Sequence, residues 1–65
     1  MQVFINGEPV VVERAPLEEV LVLLGYEGKK VVVAVNEQFV PRTEWDLCEL
    51  EADDRVDVLA AIQGG

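Results

Sequence analysis

Two glycines, Gly64 and Gly65, follow an alternating apolar run from Val56 to Ile62. The chemistry they offer is that of a carboxylate carried on a stalk without side chains. Glycine has no Cβ, so it passes through channels too narrow for other residues and adopts backbone angles closed to them. A diglycine carboxylate therefore suits a group that must enter another protein's active site. A pair of glycines alone fits an inert flexible tail equally well, so the weight falls on the rest of the chain.

Other residues with chemical potential are few. Cys48 is the single cysteine and histidine is absent, which leaves no internal disulfide, no Cys-His pair and no evident zinc cluster. A persulfide-accepting role for Cys48 is weaker than that of a small buried hydrophobe. The carboxylates could suggest paired acid-base catalysis, but without a cleft a solvated face explains them better. Trp45 and Tyr26 fall beside breaks in regular structure, where a large ring covers the edge of a core. Arg42 could meet an acidic partner or pair with a local carboxylate.

A chain of 65 residues holds one small core, and folding at this size buries only about 60% of the unfolded surface. Stability is correspondingly marginal, which favours a carrier or binding module over an enzyme with a strained polar cleft. Thirteen acidic against five basic residues give a formal net charge of -8. That charge repels phosphate backbones, so no nucleic-acid partner is expected; it fits a basic protein partner, and equally the need to keep a small apolar domain soluble. No run approaches the roughly 18 apolar residues of a membrane span, and no signal core opens the chain. With the lone cysteine, the expected setting is the cytoplasm.

The elements that must position the diglycine follow from periodicity. Met1, Val3 and Ile5 alternate with Gln2, Phe4 and Asn6, and Asn6-Gly7 precedes Val10 to Val12, the signature of a hairpin with a tight turn. Pro9 belongs at the start of the second strand or on an edge. Pro16 suits a first helical residue, with Leu17, Val20, Leu21 and Leu24 at helical spacing, and Gly25 suits the position after the helix end. Val31 to Val35 reads as a central strand covered on both faces. Asn36-Glu37 turns into a brief strand from Gln38 to Val40 that Pro41 closes. Thr43 and Asp46 are spaced as a capping box around one short helical turn, and Asp53-Asp54 turn into the last strand, Val56 to Ile62.

Strand, strand, helix, strand, short strand, strand is the α+β order of a β-grasp (ubiquitin-like) domain. Its mixed sheet has four to five strands, with one main helix packed on one face. The first and last strands lie side by side and parallel, because the helical connection supplies the crossover that a parallel pair needs. Residues 1–65 form a single domain in this reading, with Gly64-Gly65 as a flexible tail.

Against this frame stand Asn36, Phe39-Val40-Pro41-Arg42, Trp45, the acidic turn at Asp53-Asp54 and the terminal Gly64-Gly65. Together they resemble the ThiS family, the sulfur-carrier proteins of thiamin biosynthesis, over essentially the whole chain. Asp53 departs from the glycine common at that position, but aspartate tolerates left-handed backbone geometry. The resemblance implies a carrier, not an enzyme, that needs neither metal nor organic cofactor. A ThiF-type enzyme would adenylate the Gly65 carboxylate, and a sulfur donor such as a cysteine desulfurase would convert it to a thiocarboxylate. The sulfur would then pass to thiazole synthase, ThiG. Related carriers serve molybdopterin synthesis or tRNA thiolation, and ubiquitin-like modifiers and plain binding modules share the terminal pattern.

Strand alternation completes the expected site. If Val56, Val58 and Ala60 face the helix, then Asp57, Leu59 and Ala61 face the other side of the sheet, together with Phe4. Phe4, Leu59 and Ala61 are the expected partner-binding residues, with Phe4 and Leu59 exposed as an apolar docking patch beside Gly64 and Gly65.

Overall fold

The computed structural model describes residues 1–60. In chain order these form β1 (Gln2–Ile5), β2 (Glu8–Val11), α1 (Leu17–Leu23), β3 (Val31–Val35), β4 (Gln38–Val40), a 3-10 turn (Arg42–Glu44) and β5 (Arg55–Ala60). One mixed sheet runs in the order β2-β1-β5-β3-β4. β5 pairs parallel with β1, Phe4 beside Arg55 and Ile5 beside Val56, and antiparallel with β3 from Val31↔Ala60 to Val35↔Val56. The strand that leads toward the diglycine is therefore the central one.

Both hairpins close through two residues of positive φ. Ile5 pairs with Glu8 around Asn6 (φ 51°) and Gly7 (φ 85°), and Val35 pairs with Gln38 around Asn36 (φ 50°) and Glu37 (φ 69°). Such turns match the right-handed twist of the flanking strands. Pro9 sits in β2, an edge strand, where its missing donor costs the sheet nothing.

α1 starts one residue later than the sequence suggests. Pro16, at φ -67° and ψ 156°, is still extended, and it precedes the helix instead of opening it. No side chain caps this end. The Leu17 and Glu18 amides instead donate to the carbonyls of Cys48 (2.7 Å) and Trp45 (3.1 Å), so the loop before β5 satisfies the helix's free donors. At the other end Gly25, at φ 91°, follows Leu24, with Tyr26 N–H donating to Leu21 O and Gly25 N–H to Val22 O. That is the double-bonded glycine stop expected there.

Leu17, Val20 and Leu21 of α1 meet Val3, Ile5, Val33, Val56 and Val58 of the sheet, and Val12, Trp45 and Leu50 close the core's margins. One helix covers one face. The expectation that β3 is covered on both faces fails for this reason: Val33 is fully buried, but Val32 is 46% exposed on the uncovered side. The expected Thr43–Asp46 capping box is also absent; Pro41 precedes the 3-10 turn and no side chain caps it. Ala60, in phase with Val56 and Val58, is nonetheless exposed at the strand's end.

Candidate functional site

Two asparagines fasten the central strand. The Asn6 amide donates to Val56 O (2.8 Å), and its side-chain Oδ1 accepts from Val58 N–H (2.7 Å), extending the parallel ladder beyond the last residue of β1. On the other side Asn36 N–H donates to Arg55 O (2.7 Å), while Asn36 Oδ1 accepts from Arg55 N–H (3.0 Å) and Nδ2 donates to Asp54 Oδ1 (3.0 Å). Asp54 Oδ2 also accepts from Glu51 N–H, and Asp53 takes the left-handed geometry its type allows, φ 68°. β5 is thus held along both edges before it reaches residue 60.

The uncovered face of the sheet carries the expected docking residues in a different arrangement. Phe4 lies level with Arg55, and Leu59 is four residues further along β5, a separation of about 13 Å at strand spacing. They mark two ends of the face and not one contact. Leu59 is 68% exposed, as expected, whereas Phe4 is only half-buried and not freely exposed. Its N–H donates to Asp54 O (2.9 Å), and it lines a shallow recess together with Gly7, Glu37, Arg55 and Asp57. Ala61, Gly64 and Gly65 lie outside the described residues.

Val32, Ala34 and Phe39, which strand alternation alone does not assign to this face, extend it. Val32 lies directly opposite Leu59, and Ala34 lies between Asp57 and Phe39 in one cross-strand row. With Phe39 65% exposed, Leu59, Val32, Ala34 and Phe39 make a contiguous apolar surface on three strands, since opposed side chains lie about 5 Å apart. The signal was available: a single helix leaves the outward half of an apolar β3 uncovered.

The remaining candidates are structural. Trp45 is buried and donates its indole N–H to Val40 O at 3.0 Å, and the Arg42 guanidinium lies 5.4 Å from the centre of its ring, a cation–π contact. Tyr26 packs against the core. Cys48 is a half-buried free thiol whose pKa is raised by burial first and then by the charges of Asp54, Glu49 and Glu44. It stays protonated at neutral pH and is a poor nucleophile. Among the described residues no cluster of His, Cys, Asp or Glu could hold a metal ion, and no helix is long and apolar enough to cross a membrane.

A helix across one face of a five-stranded mixed sheet, with a central parallel pair and an apolar free face, defines a ubiquitin-like β-grasp domain. Solved structures agree. The crystal structure of the thiamine biosynthesis protein ThiS from Geobacter metallireducens superposes with a TM-score of 0.84 at 28% identity, over 100% of both chains. The solution structure of a thiamine biosynthesis protein from the same organism gives 0.79, covering 100% of this chain and 88% of the other. The family model named ThiS matches residues 2–65, and the sulfur carrier protein ThiS of Thermus thermophilus is 41% identical over 97% of this chain and 98% of its own length. The chain belongs to the ThiS family, the sulfur carriers of thiamin biosynthesis. A thiazole synthase of Magnetococcus marinus is also similar, 36% identical over all of this chain but over only 20% of its own length.

Proposed function

We propose that the protein carries sulfur for thiazole formation as a thiocarboxylate on Gly65, in the cytoplasm, with residues 1–65 acting as one presenting domain. The carboxylate of Gly65 attacks the α-phosphorus of ATP in a ThiF-type enzyme and releases pyrophosphate. This turns a poor electrophile into an acyl adenylate whose leaving group is AMP. The terminal sulfur of a persulfide, supplied by a donor such as a cysteine desulfurase, displaces AMP. A thiol then cleaves the resulting S–S bond and leaves the thiocarboxylate.

The observation that supports the thiazole destination is the thiazole synthase that contains a segment similar to this entire chain. That likeness favours thiamin over molybdopterin or tRNA thiolation. The chain's own residues supply presentation: β5 is fixed by Asn6 and Asn36, and the apolar face around Leu59 and Val32 offers a docking surface on the strand that precedes Ala61 and the diglycine in sequence. Gly64 lets the carboxylate enter a confined site.

Incubation with a ThiF-type enzyme, ATP and a sulfur donor, followed by intact mass spectrometry, tests the reading. The expected result is a gain equal to exchange of one oxygen for sulfur, located at Gly65. No gain under conditions that modify a known carrier would sink the proposal. Leu59→Asp, at a site 68% exposed, is expected to weaken partner binding while leaving the fold intact by circular dichroism.

A further inference from the structure

The two hairpin turns flank β5 on either side, and between them the uncovered face holds a recess of about 340 Å³ lined by Phe4, Gly7, Glu37, Arg55 and Asp57. This is at the lower end of the roughly 300–1,000 Å³ of ligand pockets, a size that suits one side chain better than a cofactor. Phe4 supplies an aromatic surface that is half-buried and so held in place. Two carboxylates, Glu37 and Asp57, share the lining with the single guanidinium of Arg55, so the balance of charge is negative. Gly7 contributes no side chain, and nothing stands within 4 Å of where its Cβ would be. The recess is therefore open on that side.

We propose that this recess receives an arginine side chain from the protein partner that docks on the sheet's apolar face. The inference rests on the carrier reading above and names the chemistry by which that face selects its partner. A planar guanidinium lies against an aromatic ring more readily than an ammonium does, and its five donors can serve two carboxylates at once. The recess is continuous with the apolar surface through Asp57, which sits between Phe4 and Leu59 along the strand face. Leu59, Val32 and Phe39 then supply apolar contact, while Phe4, Glu37 and Asp57 set register. Charge placed at one end of an apolar face specifies orientation and partner choice more than raw affinity.

The test uses the full chain and a ThiF-type enzyme, with the carrier's KM read from ATP–pyrophosphate exchange across a range of salt. Wild-type protein should show a KM that rises with salt. In the Glu37→Gln/Asp57→Asn double variant KM should rise about tenfold, lose most of its salt dependence and leave kcat unchanged; Phe4→Leu should raise KM several-fold. If the wild type is activated but the double variant keeps its KM and salt dependence, the recess proposal fails while the carrier reading stands. If the wild type is never activated, both fail. Independently of any enzyme, argininamide added to the 15N-labelled protein should shift the amides of Gly7 and Asp57 before those of Glu18 and Glu19. Uniform shifts at all carboxylates would overturn the site.

Discussion

The two hairpins solve one problem with different residues. Each closes through two positive-φ positions beginning with asparagine, and each asparagine's Oδ1 accepts from a backbone amide of β5, Val58 for Asn6 and Arg55 for Asn36. The second turn position is glycine in the first hairpin and glutamate in the second. Asparagine and glycine are the residues that reach left-handed geometry cheaply; glutamate is not. The first turn thus reaches its geometry at little conformational cost, whereas the second carries a charged side chain at a larger one and places it in the lining of the recess beside Phe4.

The largest expected effect separates the two asparagines. Asn6→Ala leaves the part-buried Val58 amide without its acceptor and forces alanine into φ 51°. The lost bond and the backbone strain together cost about 2–3 kcal/mol. Asn36→Ala removes two side-chain bonds, but both are exposed and water can replace them, so its cost is about 1–2 kcal/mol. Urea midpoints give the order directly. In thermal melts each kcal/mol lowers Tm by about 4–8 °C for a domain of this size. An Asn36 variant weaker than the Asn6 variant would show that the number of bonds outweighs burial here.

Gly7→Ala comes next. The recess leaves space for the added methyl, since no atom lies within 4 Å of the new Cβ, but φ 85° remains unfavourable for it. The cost is about 1–2 kcal/mol and comes from the backbone alone. A neutral result in chemical denaturation would mean that the turn relaxes.

Most of the frame is legible in the sequence because its signals are local. Asn6-Gly7, the 3-4 spacing of Leu17 to Leu24, Gly25 and the alternation from Val56 each reflect one element's own geometry. What the sequence conceals depends on pairing. The clamps of Asn6 and Asn36 on β5 join residues 52 and 19 positions apart, and no local pattern announces such a partner. Val32 and Phe39 join the exposed apolar face only once β3 is set beside β5 and β4. Phe4 shows both cases: alternation predicts its face correctly, but its half-buried place between the turns follows from the register with Arg55. Pro16 lies one residue outside the helix that its type suggests it opens, because loop carbonyls from Cys48 and Trp45, not a local side chain, complete the helix start.

The smallest expected change is also the one that bears most directly on the difference between the turns. Glu37→Gly relieves the strain of a large residue at φ 69° but adds freedom to the unfolded chain, for a net gain of about 0.5 kcal/mol. The same substitution removes a carboxylate from the recess, so a higher urea midpoint should accompany a higher KM for the adenylating enzyme. Glu37→Asn discriminates between causes, because asparagine tolerates the left-handed region without bringing charge. If Glu37→Gly and Glu37→Asn both gain stability and both raise KM, the glutamate is kept for its carboxylate at the expense of the turn. Gained stability with unchanged KM would instead reduce the second hairpin to a less well-made copy of the first.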